Sequence, residues 1–135
     1  QIVGSVSLTD HVEDVLIPVP LDTTTAGIAA AGPDPRDPLQ GRLVRLTAAE
    51  ITQDFGSAGH YRNAYIDDGS GETIIRVASG LVANVTETPD GKGEELNEMF
   101  PVGTCWDIVG LAYSYNGDGQ IFPRSLDDMV EVDCN

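Results

Sequence analysis

Short apolar segments separated by glycine-rich acidic turns fill the chain from residue 41 onward, and this alternation constrains the fold more than any other feature. The strongest turn signal is Asn116-Gly117-Asp118-Gly119, and a second is Asp67-Asp68-Gly69-Ser70-Gly71. Asn, Asp and Gly tolerate the positive φ angles that tight hairpin turns require. The pattern therefore predicts antiparallel hairpins and an all-β fold.

Five strands follow from this pattern, and the first of them is long. They are predicted at Arg42–Thr52, Tyr61–Ile66, Thr73–Val77, Cys105–Tyr115 and Gln120–Pro123, the last resuming at Met129–Val132. A short helix is predicted over Glu94–Phe100, between strands three and four. This order of a long strand, two hairpins and one intervening helix is expected of a five-stranded Greek-key OB-fold barrel.

The composition changes near residue 40, and we divide the chain into an extended N-terminal arm with its linker (residues 1–41) and a barrel (residues 42–135). Pro18 and Pro20 exclude a central strand, so their surroundings are predicted to be an edge strand or a polyproline-like run. Residues 26–38 have the Ala, Gly and Pro composition of a linker, in which Ala29–Ala31 could form one helical turn. The apolar residues of the arm are Ile2, Val6, Leu8, Val15, Ile17, Val19 and Leu21.

The chain carries 22 acidic and 7 basic residues, a net charge of −15. Nucleic-acid binding draws much of its affinity from Lys and Arg at phosphates, and anionic membranes attract basic surfaces similarly. The charge therefore argues against both partners and suits divalent cations or basic proteins. No apolar run is long enough to span a bilayer.

The two cysteines, Cys105 and Cys134, do not have a zinc-binding spacing. We predict a disulfide between them, which would stabilise the fold by about 3.6 kcal/mol; unlinked thiols in a cytosolic protein are the alternative. Asn84-Val85-Thr86 matches the N-glycosylation pattern. The chain begins at Gln1, as removal of a signal peptide would leave it. These features predict a secreted, extracellular or cell-surface protein.

Three stretches carry a resemblance to a known group: residues 65–72, 107–111 and 120–128. Through them, residues 42–133 resemble small secreted bacterial OB-fold domains related to the anticodon-binding type. The resemblance implies a barrel whose strands two and three form the face that binds single-stranded nucleic acid or oligosaccharide. On that face the sequence offers Tyr61, Tyr65 and Arg76.

Catalytic signatures are missing from the sequence. There is no G-x-S-x-G, Walker or G-x-G-x-x-G motif, and His11 and His60 are predicted to be surface residues. We therefore expect no enzyme activity and no organic cofactor. Calcium is the one candidate ion, because two turns concentrate oxygen atoms, although ordinary turn chemistry explains them as well. The candidate calcium ligands are Asp67, Asp68, Glu72 and Asp118.

The arm is the feature that a barrel alone does not explain. Its apolar residues must be buried either on their own barrel or on a neighbouring subunit. The sequence therefore predicts a non-enzymatic extracellular structural protein that forms a homo-oligomer or filament by donating its arm. The alternative is a secreted OB-fold binding module for a polysaccharide or single-stranded nucleic acid.

Overall fold

The computed structural model describes residues 19–58, 61–78 and 94–134. Within these ranges the chain forms seven strands, two α-helices and a 3₁₀ turn at Leu126–Asp128. Neither helix in this part of the chain is long and apolar enough to cross a membrane. In chain order the elements are β1 (Leu21–Asp22), α1 (Thr25–Ala31), β2 (Leu43–Ala58), β3 (Tyr61–Asp67), β4 (Thr73–Ala78), α2 (Glu94–Met99), β5 (Cys105–Tyr115), β6 (Asp118–Phe122) and β7 (Met129–Val132).

Five of the strands close into a barrel, as the sequence predicted. β2 pairs antiparallel with β3, and β3 pairs antiparallel with β4. β4 runs parallel to β6, β6 returns antiparallel to β5, and β5 closes the barrel by pairing with β2. Two short strands lie at the edges: β1 is parallel to β2, and β7 is antiparallel to β5. The all-β barrel and the helix between its third and fourth strands are therefore confirmed.

The long strand β2 pairs with both β3 and β5 because it is bent. Its register against β5 shifts between Leu46 and Ala49, and Ala48 has a φ of 49° there. The Ala48 N–H donates a hydrogen bond to Asp107 Oδ1 at 2.9 Å. A bulge of this kind bends a strand, so the first half of β2 pairs with β5 and the second half with β3.

The barrel interior is mainly apolar, although Arg62 and Thr73 are also buried, and α2 covers one of its ends. Leu96 of α2 is fully buried, and Phe100 lies 4.7 Å from Trp106 between ring centroids. The side chain of Asn97 accepts a hydrogen bond from the Phe55 N–H, which ties α2 to β2. The core of the barrel itself comprises mainly Val44, Leu46, Ile51, Ala64, Ile66, Ile75, Val77, Ile108, Ala112 and Ile121.

The linker prediction was wrong for residues 26–28, whereas the helical turn predicted at Ala29–Ala31 is present as part of α1. The Thr24 hydroxyl caps this helix by accepting a hydrogen bond from the Gly27 N–H at 3.0 Å. Ile28 is buried as part of the main core cluster, so the segment is held by apolar burial. Burial of Ile28 and Ala31 thus helps to fix a segment whose composition is otherwise typical of a linker.

The end of the arm docks on its own barrel. Leu21 and Asp22 pair in parallel with Val44 and Arg45 of β2. Val19, two residues earlier, is 87% exposed. The other predicted arm residues, Ile2, Val6, Leu8, Val15 and Ile17, lie outside the described residues, so donation of the arm stays a prediction.

Candidate ligand-binding face

Strand alternation places all four tyrosines of the chain on the outside of the barrel. In β3, Arg62, Ala64 and Ile66 point inward and are buried, which directs Tyr61 and Tyr65 outward. In β5, buried Ala112 likewise directs Tyr113 and Tyr115 outward. We call the outer surface that the four tyrosines share with Asn63, Arg76, Gln120 and Phe122 the tyrosine face.

The register brings these side chains together across four strands. Tyr65 pairs with Ile74, Ile74 with Gln120, and Gln120 with Tyr113. In the next row, Asn63 pairs with Arg76. Tyr61, Tyr65 and Arg76, the three residues predicted from sequence, therefore lie on one surface.

Arg76 lies at the centre of the tyrosine face, between two rings. Its guanidinium carbon is 4.2 Å from the ring centroid of Tyr61 and 5.0 Å from that of Tyr115. Both distances are within the range of cation–π attraction, about 6 Å. The ring of Tyr61 also meets Phe122 edge-on at 5.7 Å. The arginine, only 8% exposed, is thus held in place by aromatic contacts.

Tyr113 remains a neutral phenol under physiological conditions. Burial raises its pKa above the ordinary tyrosine value, and the nearby positive charge of Arg76 only partly opposes this. Its ring packs against Phe122, with centroids 5.8 Å apart. Tyr113 therefore contributes an uncharged phenol to the aromatic cluster.

A groove of about 480 Å³ runs along the tyrosine face. Its volume is within the range of roughly 300–1,000 Å³ that is common for ligand sites. A smaller depression of about 160 Å³ continues it towards Ala29 of α1 and shares Tyr65, Ile74 and Asp118 with it. The lining of the main groove is Asn63, Tyr65, Ile74, Arg76, Tyr115, Asn116, Asp118 and Gln120.

Three buried polar atoms of this lining have no hydrogen-bond partner within the described part of the chain. They are Asn63 Oδ1, Arg76 Nε and Gln120 Oε1. Gln120 is only 2% exposed. A buried polar atom without a partner costs about 1–3 kcal/mol, so such atoms are rare unless a ligand or water satisfies them. These atoms give the groove hydrogen-bonding capacity that the described part of the protein does not use.

The charge of the groove is mixed. Arg76 is its basic residue, and Asp118 lies in the same lining, while Glu72 lines the smaller depression. Elsewhere on the barrel, Arg45 and Arg124 are paired with carboxylates: Arg45 lies 3.9 Å from Asp22, and Arg124 makes two 3.0 Å hydrogen bonds to Asp128. The groove therefore lacks the row of cations that tracks a phosphate backbone.

Among residues 19–58, 61–78 and 94–134, no group of three or more His, Cys, Asp or Glu is placed to hold a metal ion. The calcium prediction for Asp67, Asp68, Glu72 and Asp118 stays a prediction, and three of these carboxylates have hydrogen-bond partners within the protein. Asp67 Oδ1 accepts hydrogen bonds from the N–H groups of Gly69 and Gly71 at 2.7 and 3.1 Å, closing its own turn. Glu72 accepts one from the Thr52 hydroxyl at 2.8 Å.

Asp68 holds α1 against the barrel. Its carboxylate accepts hydrogen bonds from the backbone N–H of Thr25 at 3.1 Å and from the Thr25 hydroxyl at 2.8 Å. It also accepts one from the Ser70 N–H at 3.0 Å. Of the four carboxylates, Asp68 is therefore the one that fixes the helix.

The remaining predicted sites have separate outcomes. The disulfide between Cys105 and Cys134 is confirmed. Asn84, the predicted glycosylation acceptor, lies outside the described residues, as do His11 and His60.

Sequence reasoning missed Asn63, Tyr113, Tyr115 and Gln120 as members of the face. The Asn116-Gly117 turn was a usable signal, because a two-residue hairpin pairs Tyr115 with Asp118 and Tyr113 with Gln120. The parallel pairing of β4 with β6, which brings Arg76 to them, has no local signal in the sequence.

No protein-family model matches the chain, and no characterised protein matches it by sequence. Solved structures do match in three dimensions. A putative aspartyl-tRNA synthetase from Leishmania major Friedlin is 12% identical, with a TM-score of 0.53 over 96% of this chain and 26% of that chain. OBody AM1L10 bound to hen egg-white lysozyme is 17% identical, with a TM-score of 0.52 over 87% of this chain and 96% of that chain. A replication protein A heterotrimer bound to ssDNA is 12% identical, with a TM-score of 0.51 over 85% of this chain and 83% of that chain.

The fold is an OB-fold. At these sequence identities the likeness concerns the fold alone, because OB-folds carry many unrelated functions. The chain spans about a quarter of the synthetase, 26% of its length. In this OB-fold, the tyrosine face includes β3 and β4, the second and third barrel strands, which are the strands that OB-folds use for oligonucleotides and oligosaccharides.

Proposed function

We propose that this OB-fold is a non-enzymatic binding subunit whose tyrosine face holds an extended ligand chain. The observation that carries the proposal is the set of three buried, unpartnered polar atoms in an aromatic groove, on Asn63, Arg76 and Gln120. Exposed rings of Tyr65 and Tyr115 provide stacking surfaces beside them. The continuation of the groove towards α1 gives it the length that suits a chain better than a single small molecule.

Rigidity of the site supports binding as well. Arg76 is fixed between Tyr61 and Tyr115 before any ligand arrives, and the face is built on strands. A preorganised site loses less entropy on binding. The replication protein A heterotrimer that this chain resembles in fold was solved bound to ssDNA, which is an extended chain. For this protein the net charge of −15 favours a ligand without phosphates.

The tyrosines themselves provide the test. Incorporation of 3-fluorotyrosine gives four ¹⁹F resonances, all on the tyrosine face. Cellopentaose, an oligothymidylate and a proline-rich peptide are titrated in turn, and we expect at least one of them to shift the resonances of Tyr65 and Tyr115. 5-Fluorotryptophan at Trp106, on the barrel end that α2 covers, is the control and stays unchanged. If no probe moves any tyrosine resonance, the proposal is wrong.

The variant Tyr65→Ala tests the location of the site. Tyr65→Ala should weaken binding of the active probe about tenfold or more, because loss of one stacking ring costs roughly 1–3 kcal/mol. Val130→Ala, an exposed apolar residue of β7 that does not line the groove, is the matched control. Equal losses in both variants would place the ligand elsewhere.

We also propose that the protein works outside the cytosol, in the manner of the small secreted bacterial OB-fold domains that it resembles. The disulfide between Cys105 and Cys134 supports this, because such bonds persist mainly in oxidising compartments. Thiol labelling of the protein isolated from its native source tests the proposal. We expect no label before reduction and two labelled cysteines afterwards, and full labelling without reductant would contradict it.

Self-assembly through the arm is a second candidate function, and Val19 favours it. This residue belongs to the apolar run of the arm, yet 87% of it is exposed on its own barrel. Exposed apolar chain next to an edge strand is a common means of joining subunits. Light scattering and negative-stain microscopy of the intact protein test for oligomers or filaments, and a monomer at every concentration would exclude this function.

A further inference from the structure

The groove on the tyrosine face suits a peptide backbone. Asn63 Oδ1 and Gln120 Oε1 need hydrogen-bond donors, whereas Arg76 Nε needs an acceptor. Phosphates and carboxylates only accept hydrogen bonds at neutral pH, so they satisfy Arg76 alone. A peptide supplies N–H donors and C=O acceptors at regular spacing. The exposed rings of Tyr65 and Tyr115 stand in the same groove, where they can contact the side chains of such a peptide.

The N-terminal arm contains a segment of the matching kind. Pro18 and Pro20 favour a polyproline II conformation around them, and peptides in this conformation dock in aromatic-lined grooves. Val19, between the two prolines, remains exposed on its own barrel. The arm offers the apolar, proline-containing ligand that the tyrosine face lacks.

The arm also has the reach to contact another molecule. Leu21 and Asp22 fix its end on β2. Pro18 lies three residues before Leu21, which is roughly 9 Å at 3.1 Å per residue. The segment around Pro18 therefore reaches the groove of a neighbouring subunit that packs directly against β2.

We propose that the tyrosine face of one copy binds the N-terminal arm of a second copy, with the segment around Pro18 lying in the groove. The inference rests on the proposed function, since it names the ligand of the same site. The arm leaves from β2 while the groove lies on β3, β4, β5 and β6, so the contact joins two different surfaces. A head-to-tail contact of this kind leaves one free arm and one free groove, and its repetition builds an open chain of subunits.

Salt distinguishes this ligand from a polyanion. Two copies that each carry −15 repel one another, and added salt screens that repulsion. Assembly through the arm therefore strengthens as the salt concentration rises. Binding of single-stranded nucleic acid has the opposite dependence, because salt competes with its counterion release.

A mixing experiment tests the proposal with two variants of the full chain. Tyr65→Ala combined with Tyr115→Ala disables the groove, and Ile17→Asp disables the arm. We expect the intact protein to form oligomers in sedimentation velocity, and each variant alone to be monomeric. An equimolar mixture of the two variants forms dimers and nothing larger. The groove variant keeps a functional arm and the arm variant keeps a functional groove, so each pair can form one contact. Val130→Ala, outside the groove, assembles like the intact protein.

The results separate this inference from the proposed function. If the groove variant assembles as well as the intact protein, or if the intact protein is monomeric at high salt, the inference is overturned. The proposed function still stands in that case if cellopentaose or oligothymidylate shifts the fluorotyrosine resonances. If the intact protein is monomeric and Ile17→Asp alone changes those resonances, the arm occupies its own groove, and the second copy is excluded. Gln120→Met tests the hydrogen bond that Gln120 Oε1 accepts from the bound arm. If this variant assembles as well as the intact protein, Gln120 does not contribute to binding.

Discussion

Burial and hydrogen bonding act in opposite directions on the pKa of the Asp68 carboxyl group. Burial raises its pKa, but the hydrogen bonds from Ser70 and Thr25 outweigh burial, and the net pKa is below the ordinary aspartate value. A lowered pKa means that the ionised form stabilises the folded state. This contribution is complete above the unfolded-state pKa, about 3.9, and is lost as the pH falls through the folded-state pKa.

We expect Asp68→Ala to reduce stability at neutral pH and to remove part of the acid sensitivity of the protein. The variant loses hydrogen bonds to a charged group, which contribute about 1.5–3 kcal/mol each when the group is buried and less at this partly exposed position. Urea unfolding at pH 7 and at pH 3 measures both effects. Glu131→Gln, an exposed residue of β7, is the control. An Asp68→Ala variant as stable as the wild type at pH 7 contradicts the role of this residue.

Some residues of the candidate site could be predicted from the sequence and others could not. Tyr61 and Tyr65 are four residues apart in one strand, so period-two alternation alone places them on one side. Gln120 and Arg76 are far apart in sequence and meet only because β4 and β6 run parallel. The burial of these two side chains depends on the parallel pairing of β4 with β6, and no local sequence pattern specifies that pairing.

At the scale of elements, α1 and β6 meet backbone to backbone. A Cβ at Gly119 would lie 1.9 Å from the Ile28 carbonyl oxygen, and one at Gly32 would lie 2.2 Å from the Gly119 nitrogen. Glycine is therefore required at both positions by close approach. The contact holds α1 at the end of the groove, where Ala29 lines the smaller depression.

We expect Gly119→Ala to displace α1 and to cost about 1–3 kcal/mol or more of unfolding free energy, since inserted atoms must push two backbones apart. Gly56→Ala in β2 is the matched control, because a Cβ there meets nothing within 4 Å. Chemical denaturation of both variants measures the difference. Equal stability of the two would mean that α1 is not packed against β6 in solution.

The elements were predictable to different degrees. The barrel strands were predicted within a few residues, apart from β2, which continues to Ala58 because its bend lets it pair with β3. The helix α1 was taken for linker because Ala26-Gly27 and Gly32-Pro33 give its segment a loop-like composition. Its stability comes from Ile28 and Asp68, which are tertiary contacts that local propensity does not contain.

At the scale of the whole molecule, the disulfide joins the edge strand β7 and the C-terminal residues to β5. It closes a loop of 29 residues, and in the chain-entropy model its loss costs about 3–4 kcal/mol. We expect the double variant Cys105→Ser, Cys134→Ser to unfold at a correspondingly lower urea concentration. Reduction of the wild type should shift the transition to the same position, and a wild type unaffected by reduction would argue against this estimate.

The parallel pairing of β4 with β6 has a consequence for the time course of folding. Residues 74–75 pair with residues 120–121, β2 pairs with β5, and α1 packs against Gly119. Each of these contacts joins distant parts of the sequence. Barrels dominated by such non-local contacts fold in milliseconds to seconds, far more slowly than helical bundles. During synthesis, the N-terminal half cannot complete its core until the last hairpin has left the ribosome. Until then its strand edges remain unpaired, and unpaired edges in a partly folded chain favour aggregation.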